Sequence, residues 1–107
     1  MITTSTKTKL LSLLAVGLCD ALRDETIDIL EAERLLFSPH TMQQVRRCDK
    51  RIVELIHMGT ELDDIKTLVP SDYEGTISRI RKLALACLAD NANEVDPTEK
   101  PWIDSIV

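Results

Sequence analysis

The sequence predicts an all-α fold, a compact bundle of about five helices in which the first and last are long and three short ones wrap around them. Three observations lead there. Apolar residues recur at spacings of three and four through most of the chain, and no long run alternates apolar with polar residues as a half-buried strand would. Hydrophobic residues make up 44% of the chain and aromatic ones only 3%, so the core is aliphatic, which suits helix packed on helix. Three glycines and four prolines in 107 residues leave little material for hairpin turns, and that length is enough for one domain with its own core.

The first helix follows a Thr-, Ser- and Lys-rich start, with Ser5 or Thr6 as its cap, and contains Leu10 to Leu22, a stretch interrupted by only two polar side chains, Ser12 and Asp20. A helix apolar around most of its circumference belongs at the centre of a bundle. Within it Gly17 is expected to let a crossing helix come close, which would offset its cost of about 1 kcal/mol against Ala. The stretch is too short to span a bilayer. Lys7 and Lys9 ahead of it, with Ala15-Val16-Gly17, imitate a secretory signal, but the apolar pattern continues through Ala21 and Leu22, and Leu18 is too large to precede a lipoprotein cysteine at Cys19. The reading is an uncleaved core helix.

Asp28 and Glu31 form a capping-box signal for a second helix that carries Ile29, Ala32, Leu35 and Leu36 and stops at Phe37. Ser38-Pro39 then caps and opens a third, with Met42, Val45, Cys48, Ile52, Leu55 and Ile56 on one face and a break near Asp49. Gly59 reads as the left-handed residue after its end, and Thr60 with Asp63 opens a fourth, brief helix ended by Pro70. Ser71 with Glu74 opens the last helix, which runs to about Asp90. Tyr73, Ile77, Ile80, Ala84, Cys87 and Leu88 share one of its faces, with Arg79, Arg81 and Lys82 largely opposite. Residues 1–90 therefore form the helical domain, and residues 91–107 an acidic linker, interrupted by Pro97, that leads to an apolar strap.

Little in the sequence carries chemistry. No nucleophile sits in a G-x-S-x-G setting, no C-x-x-C or H-E-x-x-H occurs, and phosphate-binding glycine patterns are absent, so neither catalytic residues nor a cofactor or metal site is expected. His40 lies in the first turn of one helix and His57 in the last turn of the same segment, where a cation suits the carbonyl end. Cys19, Cys48 and Cys87 are an odd number, all inside expected helices, the pattern of free thiols in a reducing cytoplasm. The net charge of -5 and pI near 4.9 disfavour nucleic acid.

Two features remain as candidate partner-binding surfaces. Arg46, Arg47, Lys50 and Arg51 form a dense basic cluster around Cys48, where a partly exposed thiol would be activated; the plainer reading is a solvated cationic face beside a small core residue. At the other end, Trp102, Ile103, Ile106 and Val107 line one side of a turn begun by Pro101, ready to cover the protein's own core or to dock in a partner's groove.

Gly17-Leu18 with Ala21-Leu22, the run Glu31-Ala32-Glu33-Arg34-Leu35-Leu36-Phe37-Ser38-Pro39 and the run Gly59-Thr60-Glu61-Leu62-Asp63-Asp64-Ile65 together resemble a family of small bacterial proteins of unknown function of about this length. The resemblance implies a bacterial cytoplasmic origin and supplies no catalytic residues.

By elimination, the expected function is that of a non-catalytic protein-interaction module that binds another protein or a second copy of itself, of which an immunity or antitoxin-like protein is one form, since an acidic surface suits a basic toxin. The alternative is a helix-turn-helix regulator built from Glu61–Val69 and the helix after Asp72, with Tyr73 to Lys82 as reading helix. Its leading residues Asp72 and Glu74 would meet phosphates with negative charge. A third reading is a thiol-based sensor at Cys48.

Overall fold

A side chain can cap a helix only where the backbone before it is extended, and this decides which expected helix starts are real. In the computed structural model, which describes residues 3–91 and 102–106 (for Trp102 and Ser105 the backbone alone), three of the four residues with that geometry come before residue 40. Thr3 (ψ 160°) accepts from the Thr6 amide, Asp28 (ψ 172°) from the Glu31 amide and Ser38 (ψ 154°) from the Thr41 amide. They open α1 (Thr4–Arg23), α2 (Ile29–Leu35) and α3 (Pro39–Gln44). The cap of α1 is therefore Thr3, not Ser5 or Thr6, both of which lie inside the helix.

Two further expected caps fail for the converse reason. Glu61 and Asp72 already have helical backbone, ψ −7° and −6°, so α5 (Leu62–Leu68) and α6 (Tyr73–Asp90) start without a side-chain cap. Thr60 is the last residue of α4, its hydroxyl donating to the His57 carbonyl at 2.6 Å, and Ser71 lies in a 3-10 turn, Pro70–Asp72, that runs straight into α6.

The third helix expected from Pro39 onward is two helices. α3 stops at Val45, and Asp49 starts α4 (Lys50–Thr60) by accepting from the Arg51 amide at 3.0 Å. Among the described residues there are thus six α-helices and two 3-10 turns rather than five helices, and the fold is all-α and compact.

α1 ends on a left-handed residue that is not glycine. Thr26 N–H donates to the Ala21 carbonyl at 2.9 Å and Glu25 N–H to the Leu22 carbonyl at 3.2 Å, a closure that needs a positive φ between them, and Glu25 supplies it at 58°.

α1 and α6 lie antiparallel, as the cross-pairs Arg23–Ser78 (2.8 Å) and Asp20–Arg81 (2.9 Å) show, and α4 packs across both. The buried stripe of α1 is Thr8, Ser12, Ala15, Cys19 and Leu22, with Leu18 beside it; α6 contributes Thr76, Ile77, Ile80, Ala84 and Cys87. Small side chains on both helices allow the close approach. Ser12 meets the cost of burial locally by donating to the Thr8 carbonyl at 2.7 Å.

This corrects two expectations about the first helix. It is not surrounded: Leu13 and Leu14 are 53% and 39% exposed. Nor does Gly17 mark a helix crossing, since it faces solvent and a Cβ added there would meet nothing within 4 Å.

The close approach is at Gly59 instead. This residue lies within α4, buried and without a positive φ, and the Phe37 ring rests against it so closely that an added Cβ would run into the ring carbons. Leu36 and Phe37 turn inward from the end of α2 to join Ile52, Leu55 and Ile56 of α4 and Leu62 of α5 in the core. No helix among the described residues is long and apolar enough to cross a membrane.

Candidate functional site

The break between α3 and α4 gathers the basic cluster and divides it. Arg51 points back along its own helix start, its Nη2 2.6 Å and its Nε 3.1 Å from the two oxygens of Asp49, while its Nη1 reaches Asp90 Oδ2 at 2.5 Å. One guanidinium thus ties the start of α4 to the end of α6. It holds the Asp49 carboxyl well below the usual carboxylate range, and Asp49 and then Asp90 raise its own. Arg51 is a structural cation.

Arg46, Arg47 and Lys50 are different: all three are exposed, and among the described residues none forms an ion pair. Arg46 and Lys50 stand at the rim of an open groove between α3 and α4, about 480 Å³ in volume, with Met42 and Val53 as its apolar floor and Glu54 and His57 along its far side. Met42 and Val53 are half-buried, their inner atoms packed on the core. His57 Nδ1 lies 3.9 Å from Glu61 Oε1 one turn on. The groove is therefore apolar beneath and mainly cationic above, on a chain whose net charge is -5.

A second open space, about 440 Å³, lies beside the end of α1 and is lined by Glu25, Asp28, Glu31, Lys66 and Tyr73 among others. Lys66 Nζ sits 5.2 Å from the centre of the Tyr73 ring. Burial, followed by the nearby Glu25 charge, raises the Tyr73 phenol.

The three thiols occupy unlike places. Cys19 and Cys87 are fully buried; burial, with Asp20 adding, pushes Cys19 up to about 11, and burial chiefly raises Cys87, which leaves both protonated at neutral pH. Cys48 is half-buried in the turn between α3 and α4, its amide donating to the Val45 carbonyl at 2.8 Å.

Of the other sequence candidates, His40 and His57 are exposed, and Asp72 and Glu74 stand exposed at the start of α6. Trp102–Ser105 forms a 3-10 turn, and Ile103 within it and Ile106 just after it are 48% and 69% exposed. The side chain of Trp102, all of Val107 and the linker over 92–101 lie outside the described residues. The sequence reading missed the pairing of Arg51 with Asp90. Its signal was weak, since two residues 39 apart carry no local pattern, and only the break near Asp49 was legible.

Fold and groove together define a small all-α domain with a cation-rimmed, apolar-floored surface. The chain belongs to the family described as protein of unknown function (DUF3969), whose model matches residues 3–104. The resemblance to a family of small proteins of unknown function is thereby shown. No curated protein and no solved structure matches the chain.

Proposed function

We propose that this protein is a non-catalytic interaction module whose α3–α4 groove receives an acidic, amphipathic segment of a protein partner. The observation that carries the reading is the pairing of an open groove floored by the half-buried Met42 and Val53 with two exposed cations, Arg46 and Lys50, that form no ion pair among the described residues. A helical or turn-forming segment with apolar side chains on one edge and carboxylates on the other complements both. The groove charges would govern encounter and partner choice, and the floor would supply most of the affinity. The three cysteines, none of them in a disulfide, support a reducing cytoplasm as the setting.

The test is comparative capture from lysate of the protein's own source, with the full chain and with an Arg46→Glu, Lys50→Glu variant as bait. Both substituted side chains are exposed, so the variant keeps its core. The expected result is a discrete set of proteins recovered by the native chain and reduced about tenfold or more with the variant, the equivalent of some 1.4 kcal/mol. Equal recovery by the two baits removes the reading.

A further inference from the structure

We infer that the α3–α4 groove is also the docking site of the chain's own C-terminal segment, Trp102 to Ile106, folded back within one molecule. The inference rests on the reading of the groove given above and names an occupant for it. Three observations carry it.

The first is charge. Residues 91–107 carry Glu94, Asp96, Glu99 and Asp104 against Lys100 alone, whereas residues 39–58 carry Arg46, Arg47, Lys50 and Arg51 against Asp49 and Glu54. Arg51 is spent on Asp49 and Asp90, so the cations left at the groove are those an acidic segment would meet.

The second is apolar content. Ile103 and Ile106 stand three apart about a single 3-10 turn and are both exposed, and the open groove is floored by the half-buried Met42 and Val53. Residues three apart on a 3-10 turn share one side. One turn of this kind presents the two isoleucines together, and Asp104 between them projects elsewhere, toward a rim rather than a floor.

The third is the tether. α6 ends at Asp90, whose carboxylate holds Arg51, and Arg51 is the neighbour of Lys50 at the groove's edge. The last helix before the segment therefore ends beside the groove. Eleven residues separate Asp90 from Trp102, a reach of up to about 36 Å when extended. The groove along α4, from Lys50 to His57, is only about 10 Å long. A tether of that length gives an effective concentration on the order of millimolar, so even a weak contact is populated in cis. A partner's acidic segment would then have to displace the chain's own.

The experiment uses the full chain, methyl-labelled at Met, Ile and Val. The expected result is nuclear Overhauser contacts from the Ile103 and Ile106 methyls to those of Met42 and Val53, independent of protein concentration. They should weaken at least about fivefold with Lys50→Glu, a change of roughly 1 kcal/mol. The swap of Lys50→Glu with Asp104→Lys should restore part of them. Contacts seen only in an isotope-filtered mixture of labelled and unlabelled chains would assign the occupant to a second copy and overturn the inference. Absent contacts overturn it too. If the contacts are absent while the charge-reversed bait still loses its partners, only this inference fails; if neither effect is seen, the reading of the groove fails with it.

Discussion

The outer face of α1 and the inner face of α4 are built from the same kinds of residue and meet opposite surroundings. On α1, Leu13, Leu14 and Gly17 face solvent; on α4, Ile52, Leu55, Ile56 and Gly59 are buried, with the Phe37 ring laid against the glycine. The more hydrophobic of the two helices is therefore the one with the open flank. The amount of apolar surface on a helix says that it packs, whereas the arrangement of small side chains says where. Thr8, Ser12, Ala15 and Cys19 draw α6 onto one side of α1 and leave the leucines on the other.

The contrast is broken most strongly by truncation. Ile56→Ala opens a cavity in a site with no exposure and should cost about 2–5 kcal/mol, while Leu14→Ala should change stability by no more than about 0.5 kcal/mol. Urea unfolding of the two variants decides it, and similar losses would mean that the α1 face is covered. The glycines give the next largest effect, with opposite signs. Gly59→Ala must displace Phe37 and should destabilise by about 1–3 kcal/mol, whereas Gly17→Ala gains helix propensity in open space and should stabilise by about 1 kcal/mol.

The helix ends sharpen the same comparison. α1 closes on Glu25 at φ 58°, so Glu25→Gly should relieve that backbone and raise stability by up to about 1 kcal/mol, read as a higher thermal midpoint. α4 opens on Asp49, which Arg51 holds in its charged form. Because its carboxyl titrates lower in the folded chain than in the unfolded one, its contribution is complete above the unfolded value near 3.8 and fades as pH falls through the folded value. The stability gap between the native chain and Asp49→Asn should thus be constant from neutral pH down to about 5 and narrow below about 4. A gap that does not vary with pH in that range would show that the ion pair contributes nothing.

The fold class, the helix starts at Asp28 and Ser38 and most of the α4 and α6 core were legible because each rests on local pattern: a cap three residues from its amide, or apolar side chains on one stripe. What escaped the sequence depended on contacts between distant residues. Gly59 looked like a helix end because the residue that explains it, Phe37, lies 22 positions earlier, in the turn between α2 and α3. Thr60 and Ser71 had the right neighbours for capping and the wrong backbone. The candidate site was half legible. Arg46 and Lys50 were identified with Arg47 and Arg51 as one cluster, and it is the pairing of Arg51 with Asp49 and with Asp90, which arrives from the end of α6, that separates the structural cation from the others.

The most direct test of the central claim sets the two uncovered apolar surfaces against each other. A photo-crosslinking residue is placed at Val53 in the groove or at Leu14 on α1, each in the otherwise native full chain within its own cells. The account predicts discrete protein adducts from position 53, lost when Arg46 and Lys50 are reversed in charge, and few from position 14. Adducts from position 14 alone, or equally from both and indifferent to the charges, would contradict it and place the partner surface on α1.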